Sequence, residues 1–190
     1  DYMADPLSPI HWHCFKETAG LGALGVLAAH IVNMAQYLVG EIEQVCGDLK
    51  IVVPERPAKA GSSEMIAVEN EDQAHAMVRF AGGAQGVIET SRVACGRKMG
   101  LSYVITGTKG AISFTQERMA ELKLYLHDDP VNRQGFRTLL VGPAHPDAGG
   151  VLGGTIGAEG ELVRVPAQGL HIGLQLLGQG GAVQGELQHQ

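Results

Sequence analysis

The residues best suited to chemistry are His30, Asn33 and Tyr37, which follow one another at steps of three and four positions. On an α-helix this spacing places the three side chains one above another on a single face. An imidazole exchanges a proton near neutral pH, and amide and phenol groups bond to hydroxyl-bearing molecules. The pattern is compatible with a proton-transfer site, and equally with a packed helix that carries a histidine.

A second motif overlaps the first, because Gly20, Gly22 and Gly25 have the G-x-G-x-x-G spacing of a dinucleotide-binding turn. In that motif a buried apolar strand runs into the first glycine, and a helix N-terminus receives the pyrophosphate. Residues 14–19 do not have the sequence of such a strand. Glu41 lies roughly 20 positions further on but precedes a strand, where it cannot grip a ribose. We therefore expect no nucleotide site at these glycines.

A third candidate for a functional site is the loop around Trp12 and His13, which lies shortly after Pro9. The flanking histidines, His11 and His13, could suggest metal ligands. Two histidines separated by one residue, with no third ligand nearby, do not make a metal site. We therefore expect no metal here, and interpret the loop as a surface or substrate-facing segment.

The element that must position His30 is a helix predicted over residues 22–39, followed by Gly40 as its terminating residue. Its apolar positions recur at helical spacing and form a stripe suited to packing on a sheet. These positions are Leu24, Leu27, Ile31, Met34 or Ala35, and Leu38.

Alternating apolar and polar residues after this helix predict strands at 45–53, 73–80, 86–94, 101–106, 111–114 and 121–126. Residues 54–63 are predicted to be a loop, and the glycines at 82–83 and 107–110 predict hairpin turns. Successive strands joined by short turns pair antiparallel, and the long helix must cover one apolar face. The predicted fold class is α+β, with an open, mostly antiparallel β-sheet covered on one face by a long helix.

Composition excludes several classes of protein. The 190 residues carry a net charge of -6, so we expect no nucleic-acid partner. Charged residues and glycines interrupt every apolar run before it reaches the roughly 20 residues of a membrane span, so we expect no membrane partner. Cys14, Cys46 and Cys95 are far apart and include no C-x-x-C pair, which indicates reduced thiols and a cytoplasmic location.

The end of the chain differs from the rest, because 12 of the 44 residues at 147–190 are glycine. Glycines break each helical or strand pattern there, so no folded element is predicted. We expect a folded domain over residues 1–146 and a flexible or aberrant glycine-rich tail over 147–190.

Several sequence blocks, in this order, carry a resemblance to a known family. They are AGLGALGVLAAH at 19–30, QYLVGEIE at 36–43, ENEDQA at 69–74, FAGGA at 80–84, SRVA at 91–94 and GTKG at 107–110. Together they resemble the second domain of the glucose-fructose oxidoreductase / inositol dehydrogenase / MocA (Gfo/Idh/MocA) family. The resemblance covers roughly residues 1–146 and stops at His145-Pro146.

This resemblance implies an oxidoreductase of two domains. An N-terminal Rossmann domain would bind most of an NAD or NADP cofactor and supply the active-site lysine, and this sequence does not contain it. The present chain would correspond to the dihydrodipicolinate-reductase-like C-terminal domain, which binds a sugar, cyclitol or polyol substrate and is inactive alone. A homo-oligomer formed through the open sheet is also implied.

The family's Asp-x-x-x-His pair implies a catalytic role for His30, which matches the histidine. Val26 stands at the aspartate position and can neither accept a hydrogen bond nor offset charge, while Asn33 matches a position that often binds substrate. The missing acid leaves an alternative open, a non-catalytic carbohydrate-binding or oligomerisation module. Further candidates for substrate contacts are Trp12, His13, Tyr37, Arg92, Lys98 and His145.

Overall fold

The helix that carries His30 begins where the sequence predicts it within two residues. The computed structural model describes residues 2–98 and 100–142 and the backbone of 171–174. A wide helical turn at Leu24–Ala28 leads directly into the α-helix Ala29–Val39, here α2, which ends at Gly40 with a φ of 125°. Two short elements precede it, a 3₁₀ turn at Trp12–Cys14 and the single-turn helix α1 at Lys16–Ala19.

The two faces of α2 are those that its sequence predicts. Ile31 and Ala35 are completely buried against the sheet. His30, Asn33 and Tyr37 are exposed on the opposite side. The predicted apolar stripe therefore packs the helix on the sheet and leaves the chemically capable residues accessible.

Contrary to the expectation from sequence, the helical segment Lys16–Val39 is long and apolar enough, by length and composition, to cross a membrane. Core helices of soluble proteins meet the same criterion. Here the segment changes direction at Gly20, whose φ is 70°, and its Ile31 side chain is buried in the core.

The strands form one large sheet and one small sheet. The large sheet has the order β1-β4-β5-β10-β6-β7-β8-β9, and β2 pairs with β3 in a separate two-stranded sheet. Every pairing is antiparallel except that of β10 with β5. The strands are β1 Ile42–Lys50, β2 Glu55–Pro57, β3 Met65–Ala67, β4 Gln73–Phe80, β5 Gln85–Ser91, β6 Ser102–Gly107, β7 Gly110–Thr115, β8 Glu121–Leu126, β9 Arg137–Leu140 and β10 His171–Leu174.

The predicted α+β class with a mostly antiparallel sheet and one long helix is confirmed. Two strand boundaries differ by about three residues: the predicted strand 45–53 is β1 at Ile42–Lys50, and the predicted strand 86–94 ends at Ser91 of β5. Strand β1 ends at Lys50 because the amides of Val52 and Val53 donate to the Asp72 carboxylate at 2.8 and 2.9 Å. The strands β2, β3 and β9 are not among those predicted. Each has only three or four residues, too few to show an alternating pattern.

A strand in the glycine-rich tail is also unexpected. Strand β10 lies between β5 and β6, pairing parallel with the first and antiparallel with the second. Strand pairing needs only backbone groups, so a sequence without a clear side-chain pattern can still occupy two free sheet edges. The other residues of the predicted tail lie outside the described part of the chain.

The core lies between α2 and the centre of the large sheet. Its buried members come from α2 and from β4, β5 and β6, with Ala28, Ile31, Ala35, Val78, Phe80, Ala84, Ile88, Tyr103 and Ile105 among them. A smaller cluster of Met3, Cys14 and Val68 packs the N-terminal loop against the residue that follows β3. The helix is thus fixed to the sheet by apolar packing, and the loop before it has a core of its own.

The other face of the large sheet presents an apolar row in strand register. Cys46, Met77 and Val87 are consecutive cross-strand partners, and Gly173 and Val104 continue the row. The Met77 and Val87 side chains are 49% and 48% exposed. No described residue covers this row.

A substitution of Gly22 directly tests how the start of the helix is attached to the backbone of Glu71. A Cβ atom at this position would overlap the carbonyl oxygen of Glu71, which itself accepts the Ala23 amide at 3.0 Å. We expect Gly22→Ala to lower the free energy of unfolding by about 1–3 kcal/mol, as overpacking does elsewhere. Urea unfolding followed by circular dichroism measures the change.

Gly142→Ala is the matched control, because a Cβ there meets no atom within 4 Å. A loss of stability at Gly22 no greater than that at Gly142 would contradict the proposed close approach.

Candidate functional site

A groove of about 640 Å³ lies between α2, the loop after β5 and the end of β7. His30 and Asn33 stand on its helical wall, and Lys98 belongs to the opposing loop. Leu27 and Phe114 contribute apolar surface between them. A concave surface that mixes apolar area with a few hydrogen-bonding groups suits a small polyhydroxylated molecule.

The groove also holds residues that sequence reasoning missed. Tyr2, Ser91 and Gln116 bring polar groups to it from three separate parts of the chain. A tyrosine hydroxyl is protonated at neutral pH, and burial raises the pKa of Tyr2 further. No local motif marks these residues, because only the tertiary fold brings the N-terminus, β5 and the end of β7 together.

Only some of the predicted site residues meet here. His30, Asn33, Arg92 and Lys98 line the same groove. Trp12, His13 and Tyr37 do not line it, although the Trp12 and Tyr37 side chains are exposed elsewhere. His145 lies outside the described residues.

Arg92 lines the groove but does not offer its charge to it. Its side chain has no exposed surface, and its Nε donates to Asp72 Oδ1 at 2.8 Å. Its Nη1 donates to the His13 carbonyl at 3.2 Å, and its Nη2 to the Asn70 carbonyl at 3.1 Å. All three guanidinium nitrogens therefore have hydrogen-bond partners inside the protein, and a substrate contact by Arg92 stays a prediction.

Arg92 belongs to a polar framework around four consecutive residues, Glu69, Asn70, Glu71 and Asp72, here called the 69–72 segment. Asn70 Nδ2 donates to the carbonyls of His13 and Phe15 at 3.0 and 3.1 Å. The loop before α1 is therefore bound by the same segment that holds Arg92.

The 69–72 segment also holds the start of the helix that carries His30. The carboxylate of Glu71 accepts the Leu24 amide at 2.9 Å, and its carbonyl accepts the Ala23 amide. A carboxylate at a helix N-terminus satisfies free amides and complements the helix dipole. The orientation of His30 thus depends on Glu71.

This capping bears on whether the three glycines could form a nucleotide site. The amides of Ala23 and Leu24, which a pyrophosphate would need, already donate to Glu71, and its carboxylate would repel a phosphate. The lack of a side chain at Gly22 lets the chain lie close to the Glu71 backbone; it does not make room for a cofactor. The expectation that this turn binds no dinucleotide stays a prediction.

The rings of the N-terminal loop form a cluster of their own. The centroids of Trp12 and His13 lie 3.6 Å apart, and Nδ1 of His13 is 3.0 Å from Nδ1 of His11. Burial, and then the nearby His11 and Arg92, lower the pKa of His13. His13 therefore favours its neutral form near pH 7 and can accept a hydrogen bond.

Metal binding receives no support from geometry. Within residues 2–98 and 100–142, no group of three or more His, Cys, Asp or Glu side chains is arranged to hold an ion. The expectation that the site works without a metal stays a prediction.

Comparison with known proteins identifies the family to which the chain is similar. The profile of the GFO/IDH/MocA C-terminal domain matches residues 1–113. Levoglucosan dehydrogenase from Pseudarthrobacter phenanthrenivorans is 41% identical over 157 residues, covering 77% of this chain and 40% of that protein.

Two solved structures are similar in fold as well as in sequence. Levoglucosan dehydrogenase in complex with NADH and levoglucosan has a TM-score of 0.74 and 42% identity, over 86% of this chain and 42% of the other. An NAD binding oxidoreductase from Klebsiella pneumoniae has a TM-score of 0.73 and 38% identity, over 85% and 43% of the two chains.

The chain spans about two fifths of the length of these relatives. The profile match extends over more than half of the chain, and both solved structures share its architecture. The chain therefore belongs to the Gfo/Idh/MocA family of oxidoreductases and corresponds to its C-terminal domain.

Proposed function

We propose that this chain is the substrate-binding and catalytic-histidine domain of an NAD(P)-dependent oxidoreductase acting on a hydroxyl of a sugar, cyclitol or related compound. The observation that carries the proposal is the groove in which His30 and Asn33 stand together on the exposed face of α2. The 42% identity to a levoglucosan dehydrogenase solved with NADH and levoglucosan supports the substrate class.

His30 acts as the general base in this proposal. When hydride leaves the carbon of a secondary alcohol, the hydroxyl proton must be taken up, and an imidazole does this near neutral pH. Asn33, three residues further along α2, lies on the same wall and can bond to a neighbouring hydroxyl, which orients the ring. The two residues divide proton transfer and positioning between them.

Val26 limits what His30 can do. It lies one helical turn before His30, is half-buried, and offers neither an acceptor for the imidazole ring nor a counter-charge for the imidazolium. This observation favours a second candidate function, a module that binds carbohydrate without turning it over. The two functions share the groove and differ in turnover.

We assign binding of the hydride acceptor to the N-terminal domain and not to the present chain. NAD or NADP would be bound mainly by the N-terminal domain that the family resemblance implies, because the glycine turn of this chain is occupied by Glu71. Only substrate binding and the proton transfer at His30 are assigned to the present chain, which we expect to be inactive alone.

Kinetics of His30 and Val26 variants test the proposal in a protein that carries a complete N-terminal domain. We expect His30→Gln to lower kcat for sugar oxidation by about 10²–10⁴-fold, the usual contribution of a general base. Val26→Asp should raise kcat, because a carboxylate one turn away supports the imidazolium. NADH formation measured by absorbance gives both values.

Val26→Asn and His127→Gln are the matched controls, the first polar but uncharged and the second an exposed histidine outside the groove. An unchanged kcat in His30→Gln would contradict the catalytic role. Sugar binding with no turnover, before or after Val26→Asp, would favour the binding module.

We infer further that the protein forms a homo-oligomer through the open face of its large sheet. The row of Cys46, Met77, Val87 and Val104 supports this inference, because a twofold axis can pair a flat apolar face with itself. A single helix covers only the opposite face.

We expect Val87→Glu to reduce the molar mass in solution to that of one chain, because paired copies would bury facing carboxylates. Light scattering after size exclusion measures this mass. Val131→Glu makes the same change in a loop where the side chain is 86% exposed, and should leave the mass unchanged. A strictly monomeric unmodified protein would overturn the inference.

A further inference from the structure

We propose that the open face of the large sheet binds a second copy of this chain about a twofold axis that runs across the strands, along the apolar row. In this arrangement the carboxylates of Asp48 and Glu89 face the guanidinium of the partner's Arg79, and the contact occurs twice. This inference deepens the proposed homo-oligomer and rests on it, because it states which way the two copies face each other.

One side of the apolar row is acidic. Asp48, His75 and Glu89 are consecutive cross-strand partners on β1, β4 and β5, and each lies two residues from the apolar row along its strand. Residues two positions apart on a strand point to the same face, so these three side chains lie on the open face. His75 Nε2 is 3.5 Å from Glu89 Oε1. These three residues are here called the acidic row.

The opposite side of the apolar row carries a positive charge. Gln44, Arg79 and Gln85 are consecutive partners on the same three strands, again two residues from the apolar row, and all three are exposed. Within residues 2–98 and 100–142, neither the Arg79 guanidinium nor the Asp48 carboxylate has a hydrogen-bond or ion-pair partner. Both charges are therefore available to a neighbouring copy.

A twofold axis along the apolar row brings these opposite charges together. Rotation about this axis exchanges the two sides of the row, so the acidic row of one copy faces Arg79 of the partner subunit. Within one copy, β1 and β5 flank β4, the strand that carries Arg79. Neighbouring strands are about 4.8 Å apart and stacked sheets about 10 Å, so a long guanidinium side chain can reach a carboxylate on either flanking strand.

A twofold axis parallel to the strands would instead bring like charges together. With such an axis over β4, Asp48 meets the partner's Glu89, and Arg79 meets the partner's Arg79. Facing like charges cost free energy and exclude a competing arrangement. Opposite charges at equal distances from a central apolar row are self-complementary, as an interface between two identical copies requires. The charge pattern therefore favours a second copy as the partner and the axis across the strands as its symmetry.

Charge reversals in the 190-residue chain test the proposal through the dissociation constant of the oligomer, measured by sedimentation equilibrium. We expect Arg79→Glu alone and Glu89→Arg alone to raise this constant by about tenfold or more, because each creates two contacts between like charges. An equimolar mixture of the two variants should restore association. Both contacts between the unlike chains then join opposite charges.

Asp48→Lys replaces Glu89→Arg if circular dichroism shows that the latter does not fold. Asp48 is exposed, whereas the Glu89 side chain is only 14% exposed, so a change at Asp48 disturbs less packing. Lys59→Glu is the matched control, because it reverses an exposed charge in the loop between β2 and β3, away from the large sheet. It should leave the dissociation constant unchanged.

The outcomes separate this proposal from the homo-oligomer on which it rests. Tighter association of Glu89→Arg alone would overturn the axis across the strands, because residue 89 faces the partner's Asp48 only when the axis is parallel to them. An oligomer whose dissociation constant changes in none of the folded variants would also overturn the proposal and leave oligomer formation itself intact. A monomeric unmodified chain would overturn both. Weakening in each single variant and recovery in the mixture support the proposal.

Discussion

The buried ion pair of Arg92 and Asp72 is the interaction on which the candidate site depends. Both side chains are excluded from solvent, and their closest approach is 2.8 Å. Two charges in such an environment are tolerated only when their remaining hydrogen-bonding capacity is satisfied. Here the other Asp72 oxygen accepts two amides and the other Arg92 nitrogens reach two carbonyls, so the pair ties β5 to three separate loops.

The 69–72 segment extends this framework to both sides of the site. Its Asn70 binds the loop that carries Trp12, and its Glu71 caps the helix that carries His30. A side chain that transfers a proton or stacks on a ligand must be held in place before the ligand arrives. In this protein the holding groups, Asn70 and Glu71, are polar and buried, whereas the groups offered to the ligand are exposed.

Sequence reasoning could predict the parts of this arrangement that repeat along the chain. The stripe of α2 and the alternation of β4 and β8 show in local periodicity, and all three elements lie where they were expected. The role of Arg92 could not be predicted, because an arginine at the end of a strand has the same local sequence whether it faces solvent or Asp72. The polar run at 69–72 was visible within the family resemblance, but its partners lie 19 to 57 positions away.

The most direct test of this account is the stability of Asp72→Asn, measured by urea unfolding against Asp129→Asn. Asp72 neutralises a buried Arg92, whereas Asp129 pairs with the partly exposed Arg137. We expect Asp72→Asn to lower the free energy of unfolding by about 3–5 kcal/mol, the cost of leaving a buried charge without its partner. Asp129→Asn should cost less than about 1 kcal/mol. Equal and small losses in the two variants would contradict the central role of the Arg92–Asp72 pair.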